Sequence, residues 1–401
     1  MRFESGHCAQ LISFYFPQFH AIPENDAWWG KGFTDWVNVR AATPNFEGHY
    51  QPRIPLGRRY YDQSQRDTLI WQTGLAKSYG VSGFCHYHYW FDGKQLLETP
   101  TNIVLDNPEI DLPFCLCWAN ETWSRRWDGR DHHILQLQSH KPDRKLWRAH
   151  FDYLIRAWCD PRYINVNGMP LFIVYRPHRI LQIAEMFDFW RDLARQHGLA
   201  GIYFAAMKQY DFPKPEVLKY FDAVIKFQPF EAIFSRDFIR IHPARGRLIE
   251  LVRLLPEKLQ NLFRSANDFV SPLKIHDYDK AWEQIIRSGN QPGLPTFEGA
   301  FMDWDNTARY KKRATLFKGA SPERFGYWMR QLIEKANRKP ENERLIFLNA
   351  WNEWAEGAYL EPDERYGYAY LEQIANLFAT RSDSSQTKEP IRKHAGATYK
   401  S

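Results

Sequence analysis

Several features are scarce or missing in this chain of 401 residues. No apolar run approaches the roughly 18 residues that a membrane-spanning helix needs, and residues 1–10 contain no stretch resembling a signal peptide. The cysteines are few and odd in number: Cys8, Cys85, Cys115, Cys117 and Cys159. Three of them lie in apolar, strand-like runs, where a buried thiol is the ordinary occupant. We therefore expect a soluble protein of a reducing compartment, the cytoplasm.

Blocks of positive charge and phosphate-binding loops are also missing. The net charge is +6, and 53 Lys and Arg residues are interspersed with 47 Asp and Glu residues, unlike the basic runs of a nucleic-acid binder. No glycine-rich loop opens a helix, as nucleotide-phosphate sites require. Cys115 and Cys117 are two apart, so on a strand they point to opposite faces and cannot form a zinc clamp. We expect no nucleic-acid partner, no metal and no cofactor.

Aromatic residues, in contrast, are abundant. They make up 16% of the chain, with 16 Trp, 21 Tyr and 28 Phe. Aromatic planes are surfaces on which sugar rings stack, although a place in the core is the commoner explanation for any single Trp. The composition alone therefore does not decide between these two uses.

Short apolar runs alternate with longer helical segments, which is typical of parallel strands joined by helical crossovers. Several runs are almost wholly apolar, as expected for strands covered on both faces. Eight such units favour an α/β fold of the (β/α)8, or TIM-barrel, type over an open sheet. The predicted strands are Leu11–Phe16, Val81–Tyr89, Pro113–Trp118, Pro170–Tyr175, Gly201–Met207, Ala223–Phe227, Pro295–Phe301 and Leu345–Ala350. The predicted helices include Gln65–Tyr79, Arg144–Trp158, Ile180–His197, Tyr278–Arg287 and Pro322–Ala336.

Two segments lie outside this alternation. Residues 1–380 are predicted to form one catalytic barrel, with a long insertion at 234–274 between strands six and seven, and residues 381–401 a disordered polar tail. Within the insertion, residues 236–264 carry seven Lys and Arg against three acids, with apolar positions at helical spacing. Such a stripe packs against its own domain more often than it lies on an anionic membrane or binds a partner protein, and all three alternatives stay open.

Polar and aromatic clusters follow the predicted strands one after another. In a TIM barrel the carboxyl ends of the strands carry the active site, so these clusters are expected to converge at one mouth. The candidate sugar-contacting residues are Tyr15, His20, Trp29, His86, His88, Trp118, Asn120, Glu121, Trp127, Tyr175 and Trp351.

The eighth strand ends in Asn349-Ala-Trp-Asn-Glu-Trp-Ala-Glu356. Hydrolysis of a glycosidic bond needs one acid to protonate the leaving oxygen and a second carboxylate as base or nucleophile. Glu353 and Glu356 are three apart, so both face the barrel mouth if the chain turns helical there. Their closeness would help to hold one of them protonated near neutral pH. We therefore predict that this pair is catalytic.

Other polar motifs carry competing interpretations. Glu121 is a rival catalytic acid, a sugar ligand together with Asn120, or the partner of Arg125 or Arg126 in an ion pair. His86 and His88 share one face of a strand, as a metal pair would, but no third ligand is evident nearby. Hydrogen bonding to the sugar or to a catalytic carboxylate is favoured, and a hydrogen-bonded place in the core for at least one of the two is the alternative.

Asp303-Trp-Asp305 imitates the DxD motif with which many glycosyltransferases hold a metal and a nucleotide diphosphate. A match over three residues arises often by chance. We favour a structural role at the lip of the barrel.

Six strings together resemble one known family. They are Tyr15-Phe-Pro-Gln-Phe-His20, Trp28-Trp-Gly-Lys-Gly-Phe-Thr-Asp-Trp36, Gly48-His-Tyr-Gln-Pro52, Gly83-Phe-Cys-His-Tyr-His-Tyr-Trp90, Cys117-Trp-Ala-Asn-Glu121 and Asn349-Ala-Trp-Asn-Glu-Trp-Ala-Glu-Gly357. The sequence resembles the WbsX-like family, which is related to glycoside hydrolase family 99, the endo-α-mannosidases. Members are often called glycosyltransferases because of their place in O-antigen gene clusters. The resemblance spans about residues 10–375.

This resemblance implies a metal-free barrel that acts on α-mannose-type linkages with net retention. The two Glu of the Asn-Glu-Trp-x-Glu string would carry catalysis, with Glu353 as the base and Glu356 as the acid. Glu353 would deprotonate the sugar's own 2-OH, which attacks the anomeric carbon to give a 1,2-anhydro sugar. Ala355 stands where family 99 enzymes commonly have His, which puts the sugar contacts in question.

The expected substrate is a mannose-configured bacterial polysaccharide or its precursor. A glycosyltransferase or transglycosylase of O-antigen or lipopolysaccharide biosynthesis is the first alternative. A non-catalytic glycan-binding barrel is the second. The sequence does not predict the oligomeric state.

Overall fold

The computed structural model describes residues 9–125, 130–209, 213–235, 238 and 273–378. Within them, eight parallel strands close into a barrel, because the first strand pairs with both the second and the eighth. The predicted (β/α)8 barrel is thereby confirmed. The barrel strands are β1 (Gln10–Tyr15), β2 (Gly83–Phe91), β3 (Phe114–Trp118), β4 (Met169–Val174), β5 (Tyr203–Lys208), β6 (Ala223–Lys226), β7 (Thr296–Phe301) and β8 (Leu345–Asn349).

Helices cover the outside of the barrel and the loops above it. Their first turns show recognisable caps: the Asp143 carboxylate accepts from the backbone N–H groups of Lys145 and Leu146, and the Ser321 hydroxyl accepts from that of Arg324. The helices of the described residues are α1 (Pro23–Trp29), α2 (Trp36–Ala41), α3 (Arg66–Ser78), α4 (Thr99–Asp106), α5 (Arg144–Trp158), α6 (Ile183–Gln196), α7 (Pro215–Leu218), α8 (Phe230–Ile233), α9 (Tyr278–Arg287), α10 (Thr307–Tyr310), α11 (Pro322–Asn337) and α12 (Ala369–Phe378).

The barrel strands are apolar because both of their faces are buried. Every residue of β2, β3, β7 and β8 is buried, as expected for strands packed against the barrel interior on one side and helices on the other. Large aromatic side chains fill the layer under the helices, for example Trp190 on α6 and Trp282 on α9, both fully buried. The high aromatic content is therefore in large part a property of the core.

Several short strands lie at the ends of the barrel. Lys94–Leu96 pairs antiparallel with the end of β2, and Trp123–Arg125 pairs with Arg130–Gln136 above β3. Asn165–Val166 leads into β4, Lys274–Asp277 pairs with Thr315–Lys318, and Asn352–Glu353 pairs with Ala358–Tyr359. Three 3₁₀ turns lie at Leu56–Arg58, Pro177–Arg179 and Lys311–Arg313, and two more at Glu341–Glu343 and Trp354–Glu356.

Two predicted features fall outside the described residues: the basic stripe at 236–264, of which only residue 238 is described, and the tail at 381–401. The limits of the catalytic barrel, 1–380, stay a prediction. Among the described helices, none combines the length and apolarity needed to cross a bilayer. The cytoplasmic location also stays a prediction.

Candidate active site

A cleft of about 830 Å³ opens at the carboxyl ends of the barrel strands. Its size falls within the range usual for ligand sites, about 300–1,000 Å³. The loops after β1, β3, β4, β6, β7 and β8 all contribute to its lining. Five predicted residues come together there: Trp29, Glu121, Tyr175, Glu353 and Glu356.

The two glutamates owe their common orientation to a single tight turn. After β8 the chain forms the two-residue strand Asn352–Glu353, a 3₁₀ turn over Trp354–Glu356, and the return strand Ala358–Tyr359. Glu353 directly precedes the 3₁₀ turn and Glu356 ends it, and both line the cleft, so both carboxyl groups are presented on the same side. Gly357 ends the turn at φ 64°, a left-handed conformation that favours glycine.

Buried hydrogen bonds fix this turn to the barrel. The Asn352 side chain exchanges two hydrogen bonds with the backbone of Phe16, at 2.8 and 2.9 Å. The Trp354 indole donates to Glu361 Oε2 at 2.6 Å, and the backbone N–H of Asp305 donates to the Glu356 carbonyl at 2.7 Å. The turn that carries Glu353 and Glu356 is therefore held by the segments after β1 and β7 and by the loop that follows it.

Arg309, on α10, connects the two candidate catalytic carboxyl groups. Its Nη1 donates to Glu356 Oε1 at 2.6 Å, and its Nη2 donates to Glu353 Oε2 at 2.9 Å. The same Nη2 lies 2.8 Å from Oδ2 of Asp35, which precedes α2 and is fully buried. One buried guanidinium thus serves three carboxyl groups, and its planar fork fixes their relative positions.

Burial and charge perturb the acidity of the pair. Burial raises the pKa of Glu353 to about 8, with the nearby carboxyl groups adding to the rise and Arg309 opposing it. Burial likewise raises the pKa of Glu356, again against the effect of Arg309. One positive charge cannot neutralise three carboxylates, so the site holds at least one proton near neutral pH. One protonated and one ionised carboxyl group, side by side, is the combination that an acid and a base of glycosyl chemistry would need.

Aromatic faces surround the carboxyl groups. Tyr87 and Tyr89 point into the barrel mouth from β2, and Tyr175 lies at the end of β4. Trp29 and Trp123 line the outer cleft, and the Arg125 guanidinium lies 4.9 Å from the centre of the Trp29 ring. Amphipathic rings around a polar centre suit a ligand with alternating apolar and hydroxyl-bearing faces.

Sequence comparison assigns the family. The model described as glycosyltransferase WbsX matches residues 11–374. The chain belongs to the glycosyltransferase WbsX family. Two relatives named WxcX, from two strains of Xanthomonas campestris pv. campestris, are each 39% identical to this WbsX-family chain over 379 residues. The match covers 94% of the chain but 50% of each relative, so the chain spans about half the length of these curated relatives.

Solved structures share the fold of this WbsX-family protein. A protein described as glycoside hydrolase-like superposes with a TM-score of 0.54 at 13% identity, covering 94% of this chain and 95% of the other. The GH99 endo-α-mannosidase of Bacteroides thetaiotaomicron gives 0.51 at 12% identity, covering 92% and 96%. The same enzyme in complex with bis-tris-propane gives 0.50 at 11% identity, covering 92% and 97%. At such identities the likeness shows the barrel fold.

The two histidines of β2 face the helices instead of the cleft. Nδ1 of His86 lies 3.2 Å from the Thr101 hydroxyl on α4, and Nε2 of His88 lies 2.8 Å from Nε2 of His150 on α5. Burial lowers the pKa of both rings to about 3, so they are neutral. The two do share one face, as their spacing predicted, but it is the outer one. The expectation of a sugar contact is corrected accordingly.

Four further predicted contacts are buried in the same outer layer or in the loops. The Tyr15 hydroxyl donates to Gln72 on α3, and the Trp118 indole donates to the carbonyl of Trp90. Trp351 is fully buried against Phe84. His20 is 3% exposed, and burial lowers its pKa. None of these four lines the cleft described above. Tyr15 and Trp118 contact Gln72 and Trp190 on the outer helices, and His20 and Trp351 are buried in loops.

Asn120 and Glu121 form part of the wall above β3. The Asn120 amide donates to the Arg176 carbonyl and accepts from the Arg176 N–H, so it holds two loops together and does not line the cleft. Glu121 does line it, and its Oε1 lies 2.8 Å from Arg176 Nε. Arg176 is thus an ion-pair partner of Glu121 that the sequence did not predict, and Arg126, one of the two predicted partners, lies outside the described residues. Trp127 lies outside the described residues.

Asp303 and Asp305 are buried in protein contacts at the barrel lip. Asp303 pairs with Arg53 at 2.8 Å. Asp305 accepts from His49, Gln51 and Thr307, and although burial opposes it, these hydrogen bonds and the Arg53 charge lower the Asp305 pKa to about 2. Both aspartates are therefore engaged structurally. Across the described part of the chain, no cluster of three or more His, Cys, Asp or Glu side chains could hold a metal ion.

Two functional candidates escaped sequence reasoning. Asp35 lies inside one of the quoted strings but was given no role, and Arg309 was not singled out at all. Arg309 follows Asp303 and Asp305 by a few residues, so its position after a barrel strand was the only available signal.

Proposed function

We propose that this protein is a retaining glycoside hydrolase that cleaves α-mannose-like linkages of a bacterial surface polysaccharide or its precursor. The observation that carries the proposal is the pair Glu353 and Glu356, presented on one turn at the barrel mouth and joined by the buried Arg309. The family assignment, the shared fold of the GH99 endo-α-mannosidase and the aromatic lining support it.

In the proposed reaction neither carboxylate attacks the sugar. Glu353 takes the proton of the substrate 2-OH, whose oxygen bonds to the anomeric carbon as the glycosidic bond breaks. Glu356 gives its proton to the leaving oxygen, which departs as a hydroxyl. Water then opens the 1,2-anhydro ring: Glu356 takes the proton of the water, Glu353 returns one to the 2-oxygen, and both carboxyl groups regain their initial states.

The single turn supports this route over direct nucleophilic attack. Retaining enzymes of the usual kind place their two carboxyl groups on opposite sides of the anomeric centre. Glu353 and Glu356 are three residues apart and share one arginine, so they approach the sugar from the same wall. This arrangement suits a base for the 2-OH and an acid for the neighbouring leaving oxygen.

The raised pKa of Glu353 limits when this residue can act as the base. With a pKa of about 8, Glu353 is mainly protonated at pH 7. It must lose this proton before it can act as base, and Arg309, which favours the ionised forms of both glutamates, supports that step. The two carboxyl groups titrate as a coupled pair beside one cation, so substrate binding decides which of them carries the proton.

The test is hydrolysis of α-mannosides and bacterial oligosaccharides without any nucleotide sugar, with proton NMR on the first-formed anomer. We expect α product from α substrate. Initial release of the β anomer would discard the 2-OH route. Absence of cleavage together with transfer from a nucleotide sugar would replace the hydrolase by a transferase.

A glycosyltransferase is the second candidate, because the family description itself names that activity. A transferase that holds its nucleotide sugar through a DxD motif gains no support, because Asp303 and Asp305 at the lip of the barrel are already engaged by Arg53, His49 and Gln51. A transglycosylase would use the same glutamate pair with a sugar acceptor in place of water.

A further inference from the structure

Glu361 is a buried carboxyl group in contact with the turn that carries Glu353 and Glu356. It follows the return strand Ala358–Tyr359, and only 3% of its surface is exposed. It does not line the cleft, so it has no direct contact with a ligand there. Because a carboxyl group leaves water at a high cost unless it gains partners, its burial points to the groups that surround it.

Three side chains donate hydrogen bonds to Glu361. The Trp354 indole donates to Oε2 at 2.6 Å, and the Tyr61 hydroxyl donates to the same oxygen at 2.8 Å. The Gln72 amide on α3 donates to Oε1 at 2.6 Å and in turn accepts from the Tyr15 hydroxyl at 2.7 Å. Three donors around one carboxyl group match its ionised form, which only accepts hydrogen bonds.

Trp354 connects this carboxyl group to the two glutamates of the cleft. It stands between Glu353 and Glu356 in the chain and begins the 3₁₀ turn, and its side chain is buried in the core. Arg309 contacts the two glutamates themselves, whereas Glu361 contacts the indole between them. A displacement of the indole would therefore move both carboxyl groups relative to a bound sugar.

We propose that Glu361 is a positioning residue: by holding the Trp354 indole, its carboxylate fixes where Glu353 and Glu356 stand in the cleft. This role rests on the proposed glycosidase function and adds a residue that acts on the reaction through another. Reacting groups need to be held to within about 0.5 Å, and a misplacement of about 1 Å can lower a rate by roughly a hundredfold.

The contact between Glu361 and the indole is expected to depend on pH. Burial raises the pKa of Glu361 to about 7, and its hydrogen bonds oppose the rise. The titratable groups near it are Tyr61 and Tyr15, whose pKa values burial raises well above the usual range, so both stay neutral. Among the described side chains, no cation forms an ion pair with it. A protonated carboxyl group loses an acceptor site and the charge that strengthens its hydrogen bonds, so the hold on the indole weakens as the pH falls through about 7.

Glu361→Gln in the full chain tests the proposal, because it keeps the size of the side chain and removes the charge. With an α-mannoside that the wild type hydrolyses, we expect kcat to fall about tenfold at pH 8 and KM to change by less than about threefold. The difference should shrink to about twofold at pH 6, because the wild-type carboxyl group is then mostly neutral like the amide. A general loss of stability would instead give the same ratio at both pH values.

Trp354→Phe shows whether the effect passes through the indole, since it removes the donor and keeps an aromatic ring. Combined with Glu361→Gln, it should lower kcat little further than either single change, because both remove the same contact. If Glu361→Gln does not fold, Trp354→Phe alone should show the loss that shrinks with falling pH.

Asp222→Asn is the matched control. Asp222 precedes β6 at the end of the barrel opposite the cleft, where its Oδ2 accepts from the backbone N–H of Phe204 at 2.8 Å. This variant should lower the free energy of unfolding and leave the pH dependence of kcat/KM unchanged.

The Trp354 indole N–H also reports the contact without any substrate. In the ¹⁵N-labelled wild type its NMR signal, identified by its loss in Trp354→Phe, should shift with a midpoint at about pH 7, and it should not shift in Glu361→Gln. A signal that does not titrate, additive losses in the double variant, or a kcat ratio that is the same at pH 6 and pH 8 overturns the positioning role, while hydrolysis by the wild type leaves the proposed function standing. If the wild type hydrolyses no mannoside, the proposed function fails and the positioning role fails with it.

Discussion

Replacing Arg309 by Met tests whether one buried cation organises the active site. Arg309 is only 5% exposed in its side chain, and Met has a similar length without charge. The substitution leaves Asp35, Glu353 and Glu356 buried without their common partner. We expect the variant to fold with a less stable barrel mouth and to lose turnover.

The size of the effect follows from the contacts. Arg309 makes three close ion pairs, at 2.8, 2.9 and 2.6 Å, in a water-poor environment. Removing one partner of a buried ion pair costs about 3–5 kcal/mol, because the remaining charge is uncompensated. We therefore expect the free energy of unfolding to fall by about that amount where the carboxyl groups are ionised.

The loss of unfolding free energy in Arg309→Met should increase with pH. Glu353 has a raised pKa in the folded protein, about 8, and without Arg309 it rises further. A carboxyl group of this kind contributes stability that is present below its unfolded pKa and is lost as pH rises through the folded value. Arg309→Met should therefore be more destabilised at pH 9 than at pH 5, relative to the wild type.

Urea unfolding followed by tryptophan fluorescence at both pH values measures this difference. Arg309→Lys is the control, because it keeps the positive charge and loses the planar fork, so it should retain more of the stability than of the turnover. A variant as stable as the wild type at pH 9, or a loss that is the same at both pH values, would refute the reasoning.

Three further results are expected. If Glu353 is the base, kcat/KM of the wild type increases with pH up to about 8. A pH–rate profile in which kcat/KM decreases as Glu353 ionises would make Glu353 the acid and Glu356 the base. Asp305→Asn should lower the unfolding free energy by about 2 kcal/mol at neutral pH, with little difference from the wild type once pH falls through about 2, the folded pKa of Asp305; urea titrations that show no effect at pH 7 would contradict its structural role. Gly357→Ala places a Cβ 2.9 Å from the Asp305 nitrogen at a positive φ, so it should cost about 1–2 kcal/mol and reduce kcat more than KM, and unchanged kinetics would show that the turn tolerates displacement.

The barrel was predictable because its strands are buried on both faces. Runs such as Leu345-Ile-Phe-Leu348 have no polar face, and the alternation with helical segments then specifies the parallel arrangement. The predicted and observed ends of β3 and β8 differ by no more than one residue. The helix Arg144–Trp158 was predicted with its observed limits.

The burial of the strands on both faces also explains why some predicted site residues were wrong. The alternation of side chains along a strand predicts that His86 and His88 share a face. It does not reveal which face points to the barrel interior when the whole strand is buried. The inward side chains are Tyr87 and Tyr89, which alternate with the histidines. Arg309 could not be assigned because its role depends on the approach of α10 to the turn after β8, a contact between segments 44 to 47 residues apart.

The central claim is that Glu353 and Glu356 cleave a glycosidic bond. The most direct measurement is reducing-end release from a panel of α-mannosides, neutral and acidic, by the wild type, Glu353→Gln and Glu356→Gln, with no nucleotide sugar present. We predict release by the wild type and none by either variant, with unchanged circular dichroism. Equal release by either variant, or no release by the wild type from any member of the panel, would contradict the claim.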